Sequence, residues 1–114
     1  EVFFRTPRRT VAQLEACSKQ LCVQEKKPVF VSVEGWYGYH FAPDHLFFLN
    51  KNGCAAADIT QKPDFADTML VIADQFPYTH GKTAYNELTL FGPSKVTKEY
   101  ACEGNIKGYR LERI

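Results

Sequence analysis

Two stretches of this chain alternate apolar and polar side chains with a period of two, and a third carries an apolar stripe at helical spacing. Val29, Val31 and Val33 fall on one face and Phe30, Ser32 and Glu34 on the other. That spacing predicts a first strand from Val29 to about Tyr39, with Val31 and Val33 facing inward. Gly35 interrupts the side-chain pattern and predicts a sharp bend within that strand. Ala42-Pro43-Asp44 reads as a turn, His45 to Asn50 as the second strand, and Asn52-Gly53 as a hairpin turn into a short third strand, Cys54 to Ile59. Thr60 to Asp67 is a polar loop containing Pro63. Met69 to Phe76 is the fourth strand and Pro77 to Ala84 a loop. Tyr85, Glu87, Thr89 and Phe91 alternate with Asn86, Leu88 and Leu90, which predicts a fifth strand stopped by Pro93. Lys95 to Glu99 and Tyr109 to Ile114 have the composition of further edge segments.

Ahead of these, residues 1–9 read as an extended arm. Thr10 and Gln13 form the sequence signature of a capping box, and Val11, Leu14, Ala16, Cys17 and Leu21 predict a short helix from Val11 to about Gln20. The pattern as a whole predicts a mainly β chain: a five-stranded barrel with a short N-terminal helix. It divides one domain into an arm (1–9), a helix and lead-in (10–27), a barrel (28–96) and a Cys-containing tail (97–114). Phe47, Phe48 and Leu49 in a row make both faces of the second strand apolar. One face is therefore expected to be covered, by the N-terminal helix or by a second subunit.

Charge narrows the function classes. From Pro28 to Leu90 there are three basic and seven acidic residues, a net of −4, while the two ends of the chain together carry +5. A surface that follows phosphates is locally positive, so nucleic acid is disfavoured as a partner. No apolar run approaches the ~20 residues of a membrane span. Cys17, Cys22, Cys54 and Cys102 make an even count, which fits two disulfides in an oxidising compartment; four buried thiols are the alternative. Sequence proximity favours Cys17–Cys22 and Cys54–Cys102, with crossed pairing as the other arrangement. A start at Glu1, with no Met and no signal-like stretch, suits a mature, exported chain.

From Thr10 to Val96, about three quarters of the chain, the pattern resembles bacterial OB-fold domains of the periplasmic kind. Those domains open with a short helix and a V-x-V-x-G strand, matched here by Val31, Val33 and Gly35. A second strand of the same form is matched by Leu70, Ile72 and Phe76, with Asp74 where glycine is usual. The resemblance implies an OB-fold barrel that binds through the face of its second and third strands and the flanking loops. It also brings in carbohydrate-binding subunits of secreted toxins, which use the same fold and assemble into rings.

Cys17-x4-Cys22 and His40-x4-His45 copy a two-Cys, two-His zinc spacing. The 17 residues between the pairs read as strand, so no metal site is expected. The chain has no G-x-S-x-G, no P-loop and no Gly-rich phosphate cradle, and its scattered carboxylates read as solvated surface. No catalytic residue and no cofactor are expected. The strongest chemical signal is the aromatic cluster Trp36, Tyr37, Tyr39 and Phe41, with His40, His45, Tyr78 and His80 nearby in the reading above. Aromatic rings can stack on sugars or bases, or fill the core. Alternation puts Tyr37 and Tyr39 on one face and Trp36 on the other. The sequence thus points to an exported, non-enzymatic binding module for a small ligand, glycan or protein, open to homo-oligomerisation. A toxin-type carbohydrate-binding subunit and a single-strand nucleic-acid binder are the alternatives.

Overall fold

A computed structural model describes residues 10–35, 42–74 and 86–114. In chain order the elements are α1 (Val11–Gln24), β1 (Val29–Gly35), α2 (Ala42–Lys51), β2 (Ala56–Ala57), β3 (Thr68–Asp74), α3 (Asn86–Phe91), β4 (Ser94–Cys102) and β5 (Ile106–Arg113). The capping box at Thr10 forms in both directions: Gln13 N–H donates to Thr10 Oγ1 at 3.1 Å, and Thr10 N–H to Gln13 Oε1 at 2.9 Å. α1 runs four residues past its expected end. Its buried stripe is Leu14, Cys17, Ser18, Leu21 and Cys22, while Val11 and Ala16, expected in that stripe, are exposed.

Two of the expected strands are helices. His45 to Asn50 belongs to α2, where His45 and Leu49, four apart, are buried and Phe47 is exposed. A strand would have put residues 45, 47 and 49 on one face; a helix separates 47 from the other two. Asn52-Gly53 is correspondingly a helix stop rather than a hairpin turn. Gly53 has φ +102°, its N–H donates to Asn50 O, and Cys54 N–H donates to Leu49 O. This is the Schellman pattern, and it favours glycine because of the left-handed residue. Tyr85 to Phe91 is likewise mostly α3, with Leu88 and Phe91 inward at i and i+3, ended by Gly92 N–H donating to Leu88 O.

The strands form one open five-stranded sheet in the order β2-β1-β3-β5-β4. β1 is parallel to both neighbours, β3 is antiparallel to β5, and β5 to β4. The edges β2 and β4 do not pair among the described residues, so the expected closed barrel does not form there. The segments read as barrel strands two and five instead cover the sheet as helices. The C-terminal stretch expected as a tail supplies β5, which lies next to central β3, and most of edge strand β4.

Both faces of β1 and β3 are buried. Val29, Val31, Val33, Leu70 and Ile72 pack against Leu21 of α1 and Leu49 of α2. Phe30, Met69, Val71 and Leu111 pack on the other side against Ile59, Phe65 and Phe91. The inward placement of Val31 and Val33 is therefore as expected. A bulge in β4 serves this two-sided packing. Val96 pairs with Leu111 and Lys98 with Arg110, so Thr97 is the extra residue. Unbroken alternation through Thr97 would instead put Tyr100 and Cys102 on the face that Val96 occupies.

Asn50 closes the short edge. Ala55 turns its carbonyl to Val29, so Ala56 turns its own backbone groups outward. There the Asn50 amide donates to Ala56 O at 3.0 Å, and its Oδ1 accepts from Ala56 N–H at 3.1 Å.

The four cysteines form two disulfides, Cys17–Cys102 and Cys22–Cys54. This corrects the pairing favoured by proximity. Because α1 continues to Gln24, Cys17 and Cys22 are five residues apart on a helix, which puts their Cα atoms ~9 Å apart, beyond disulfide reach. The bonded pairs have Cα separations of 5.4 and 5.1 Å. Among the described residues no helix is long and apolar enough to cross a membrane.

Candidate functional site

β3 is apolar from Met69 to Ala73 and ends in Asp74, which is 0 % exposed. A carboxylate there needs a partner, because burying an unpaired charge costs several kcal/mol or more. His45 supplies it. It lies in the first half of α2, is 1 % exposed, and its Nε2 sits 3.0 Å from Asp74 Oδ2. The contact is a hydrogen bond between the imidazole and the carboxylate. That fixes the ring and leaves Nδ1 as the second polar atom of the imidazole.

The pair stands where the connections of two parallel strands diverge. Asp74 pairs in register with Gly35, so the pair stands at the carboxyl ends of the parallel strands β1 and β3. From β1 the chain proceeds through α2 to β2 on one side. From β3 it proceeds through α3 to β4 and β5 on the other. α2 covers one face and α3 the opposite face. In open α/β sheets the carboxyl ends of adjacent parallel strands whose connections diverge are a usual ligand position.

Of the sequence candidates, His45 is brought to this edge, but it is buried against Asp74 rather than lying on the surface. Trp36, Tyr37, Tyr39, His40, Tyr78 and His80 lie outside the described residues, as does the chain beyond Gly35 where the bend was expected. In sequence they occupy the two segments, 36–41 and 75–85, that follow β1 and β3. Asp74 is the residue that the sequence reading missed. Its signal was there: a lone carboxylate closing a five-residue apolar run. The two-Cys, two-His spacing assembles no zinc site, since both cysteines of that pattern are in disulfides.

A second buried polar cluster has a structural character. Glu25 caps α1, its N–H donating to Leu21 O, and its carboxylate accepts from the Tyr100 hydroxyl. Arg110 donates to the same carboxylate through Nε at 2.9 Å, and its Nη2 lies 2.8 Å from Glu25 Oε2. Burial, and then the Glu25 carboxylate, push the Tyr100 hydroxyl up to about 12. The hydrogen bond to Glu25 raises Arg110 further still. The cluster ties the end of α1 to β4 and β5.

No family model, no curated protein and no solved structure matches this chain.

Proposed function

We propose that this chain is an extracytoplasmic, non-enzymatic binding module that takes a small ligand or a protein partner at the carboxyl ends of β1 and β3. The observation that carries the reading is the fully buried His45–Asp74 pair at that divergent edge. An imidazole held at 1 % exposure by a carboxylate anchors α2 against the strand ends and shapes the edge; it is poorly placed to exchange protons with a substrate. Trp36, Tyr37 and Tyr39, with His40, Tyr78 and His80, are the contact groups under this proposal, through stacking and hydrogen bonding. Two disulfides, which persist in oxidising compartments, support a location outside the cytoplasm.

The test is an NMR screen of the oxidised, isotope-labelled protein against a fragment library and a glycan library. Hits are expected to shift the amides of Val33, Ala73 and Asp74. The combined Tyr37→Ala and Tyr39→Ala variant is expected to lose those hits at an unchanged thermal midpoint. Hits confined to other surfaces, no hits in either library, or hits retained by the double variant would each overturn the proposal.

A further inference from the structure

The strand register puts one disulfide in the same row as the buried carboxylate. Gly35 pairs with Asp74, Asp74 with Ile106, and Ile106 with Cys102. Cys102 is bonded to Cys17 of α1. Two strand spacings, ~10 Å, separate the Cys102 backbone from that of Asp74. The other bond, Cys22–Cys54, leaves α1 five residues nearer its carboxyl end.

The two bonds differ in access. Cys17, Cys22 and Cys54 are buried, whereas Cys102 is partly exposed. Cys102 is the last residue of edge strand β4 and precedes a tight turn in which Gly104 and Asn105 both have positive φ. Thiol–disulfide exchange requires a thiolate to reach one sulfur of the bond, so access decides which bond is attacked. Of the four half-cystines, Cys102 is the one open to solvent.

α1 is held differently along its length. Its carboxyl end is tied by Cys22–Cys54, by the Glu25 carboxylate to Tyr100 and Arg110, and by Lys98 Nζ donating to Gln24 Oε1 at 2.9 Å. Nearer its amino end the ties to β4 are Cys17–Cys102 and an exposed hydrogen bond from Gln20 to Ala101 O at 3.1 Å. The helix thus runs from Cys17 at the Asp74 row to Glu25 beside Arg110, four residues further along β5 than Ile106. The six residues before Cys17, ~9 Å of helix, lead the opposite way, toward the carboxyl edge of β1 and β3.

We infer that Cys17–Cys102 is a redox switch acting on this edge, with an exported dithiol as its reductant. One thiolate of the dithiol attacks Cys102 Sγ. The Cys17–Cys102 bond breaks, and its electron pair leaves on Cys17, which takes up a proton. The second thiolate of the dithiol attacks the dithiol's own first sulfur and displaces Cys102, which is protonated in turn. The dithiol ends oxidised to a disulfide and the protein's cystine reduced to two thiols. The fold persists, because Cys22–Cys54 and the Glu25 cluster still hold the carboxyl end of α1. The amino half of α1 is released from β4 at the Asp74 row. That this release weakens ligand binding rests on the site proposed above; the switch itself does not.

The experiment is limited reduction of the native, oxidised protein with dithiothreitol, trapping of thiols with N-ethylmaleimide and mapping of the labels by peptide mass spectrometry. Cys17 and Cys102 are expected to take up label while Cys22 and Cys54 remain bonded. In the Cys17→Ser, Cys102→Ser double variant, NMR is expected to show the amides of Leu14, Cys102→Ser and Asp74 shifted and exchanging faster than in the oxidised protein, with those of Val31 and Leu70 unchanged. Labelling of Cys22 and Cys54 first, labelling of all four together, or an Asp74 amide that does not move would each overturn the inference. None of these readouts needs a ligand, so they decide the switch whatever the library screen finds. A hit found at this edge is expected to bind the double variant more weakly than the oxidised protein; equal binding would overturn control of the site. Should the double variant lose its fold, hydrogen exchange of the native protein under limiting dithiothreitol takes its place, and global loss of protection there would overturn the inference.

Discussion

Tyr100, Glu25 and Arg110 form a cluster whose protonation is linked to stability in a definite direction. The Tyr100 hydroxyl titrates at about 12 in the folded chain, against an ordinary value of 10.0. The folded state therefore holds this proton more tightly than the unfolded state. The resulting stabilisation is complete below pH ~10 and disappears as pH rises from ~10 to ~12. Chemical denaturation across that interval is expected to show stability falling with pH, with a shallower fall in Tyr100→Phe. The same variant at neutral pH is expected to lose about 1–3 kcal/mol, because Glu25 is left with one donor fewer in a buried position. An equal pH slope in both proteins would exclude Tyr100 as its source. At this scale the sequence was legible where a residue's partner is close in the chain, as with Thr10 and Gln13. Asp74 finds His45 29 residues earlier, and Glu25 finds Tyr100 75 residues later. Sequence spacing holds no record of either pairing.

Elements were legible where only one period fits. Val29 to Val33 and Met69 to Ala73 are rich in β-branched and other apolar residues, are buried on both faces, and form strands within the predicted ranges. His45 to Leu49 fits two periods, because a run containing Leu46, Phe47, Phe48 and Leu49 offers apolar residues to either face of a strand and to a helical stripe. Asn-Gly is also ambiguous: a left-handed glycine closes a hairpin and ends a helix equally well. Tertiary packing decides both, since α2 covers the first core face and Asn50 lies where its amide meets Ala56. That contact is the testable part. Asn50→Ala removes both hydrogen bonds to Ala56 and the donation to Leu46 O. We expect a loss of about 1–3 kcal/mol in urea unfolding, with amide exchange at Ala56 faster than in wild type. Unchanged exchange at Ala56 would mean that its edge is protected by something else. The expected argument for a covered, two-faced strand at Phe47 to Leu49 lapses with the strand itself: Leu49 is core and Phe47 lies on the outer side of a helix.

Over the whole molecule, the sheet is held at both flanks through one helix. α1 is bonded to the end of β4 by Cys17–Cys102 and to the segment after α2 by Cys22–Cys54. In the chain-entropy model the longer closure stabilises by roughly 4–5 kcal/mol and the shorter by roughly 3–4 kcal/mol. Replacing Cys17 and Cys102 together by alanine is expected to lower stability more than replacing Cys22 and Cys54, as read from denaturant midpoints at equal m-values. The reverse order would show that packing around the bonds outweighs loop length. A mainly β character and an even cysteine count that fits two disulfides were both open to reading from the chain. The topology was not, because parallel pairing of β1 with β2 depends on the helical connection α2, which carries a strand-like sequence.

The two closures are also nested: the span from residue 22 to residue 54 lies wholly inside that from 17 to 102. Neither bond threads through the loop of the other, so topology permits them to form in either order. Synthesis does not treat them alike. When the chain has emerged as far as Cys54, three thiols are present, and the thiol that Cys17 must ultimately meet has yet to be made. Helical spacing keeps Cys17 away from Cys22, which leaves Cys54 to choose between them. The outcome at that moment rests on which side of a half-built helix turns toward the stop at Gly53. The non-native bond at greatest risk is therefore Cys17–Cys54; it is resolved when the Cys22 thiolate attacks the Cys54 sulfur and releases Cys17, or when the Cys102 thiolate attacks the Cys17 sulfur and releases Cys54.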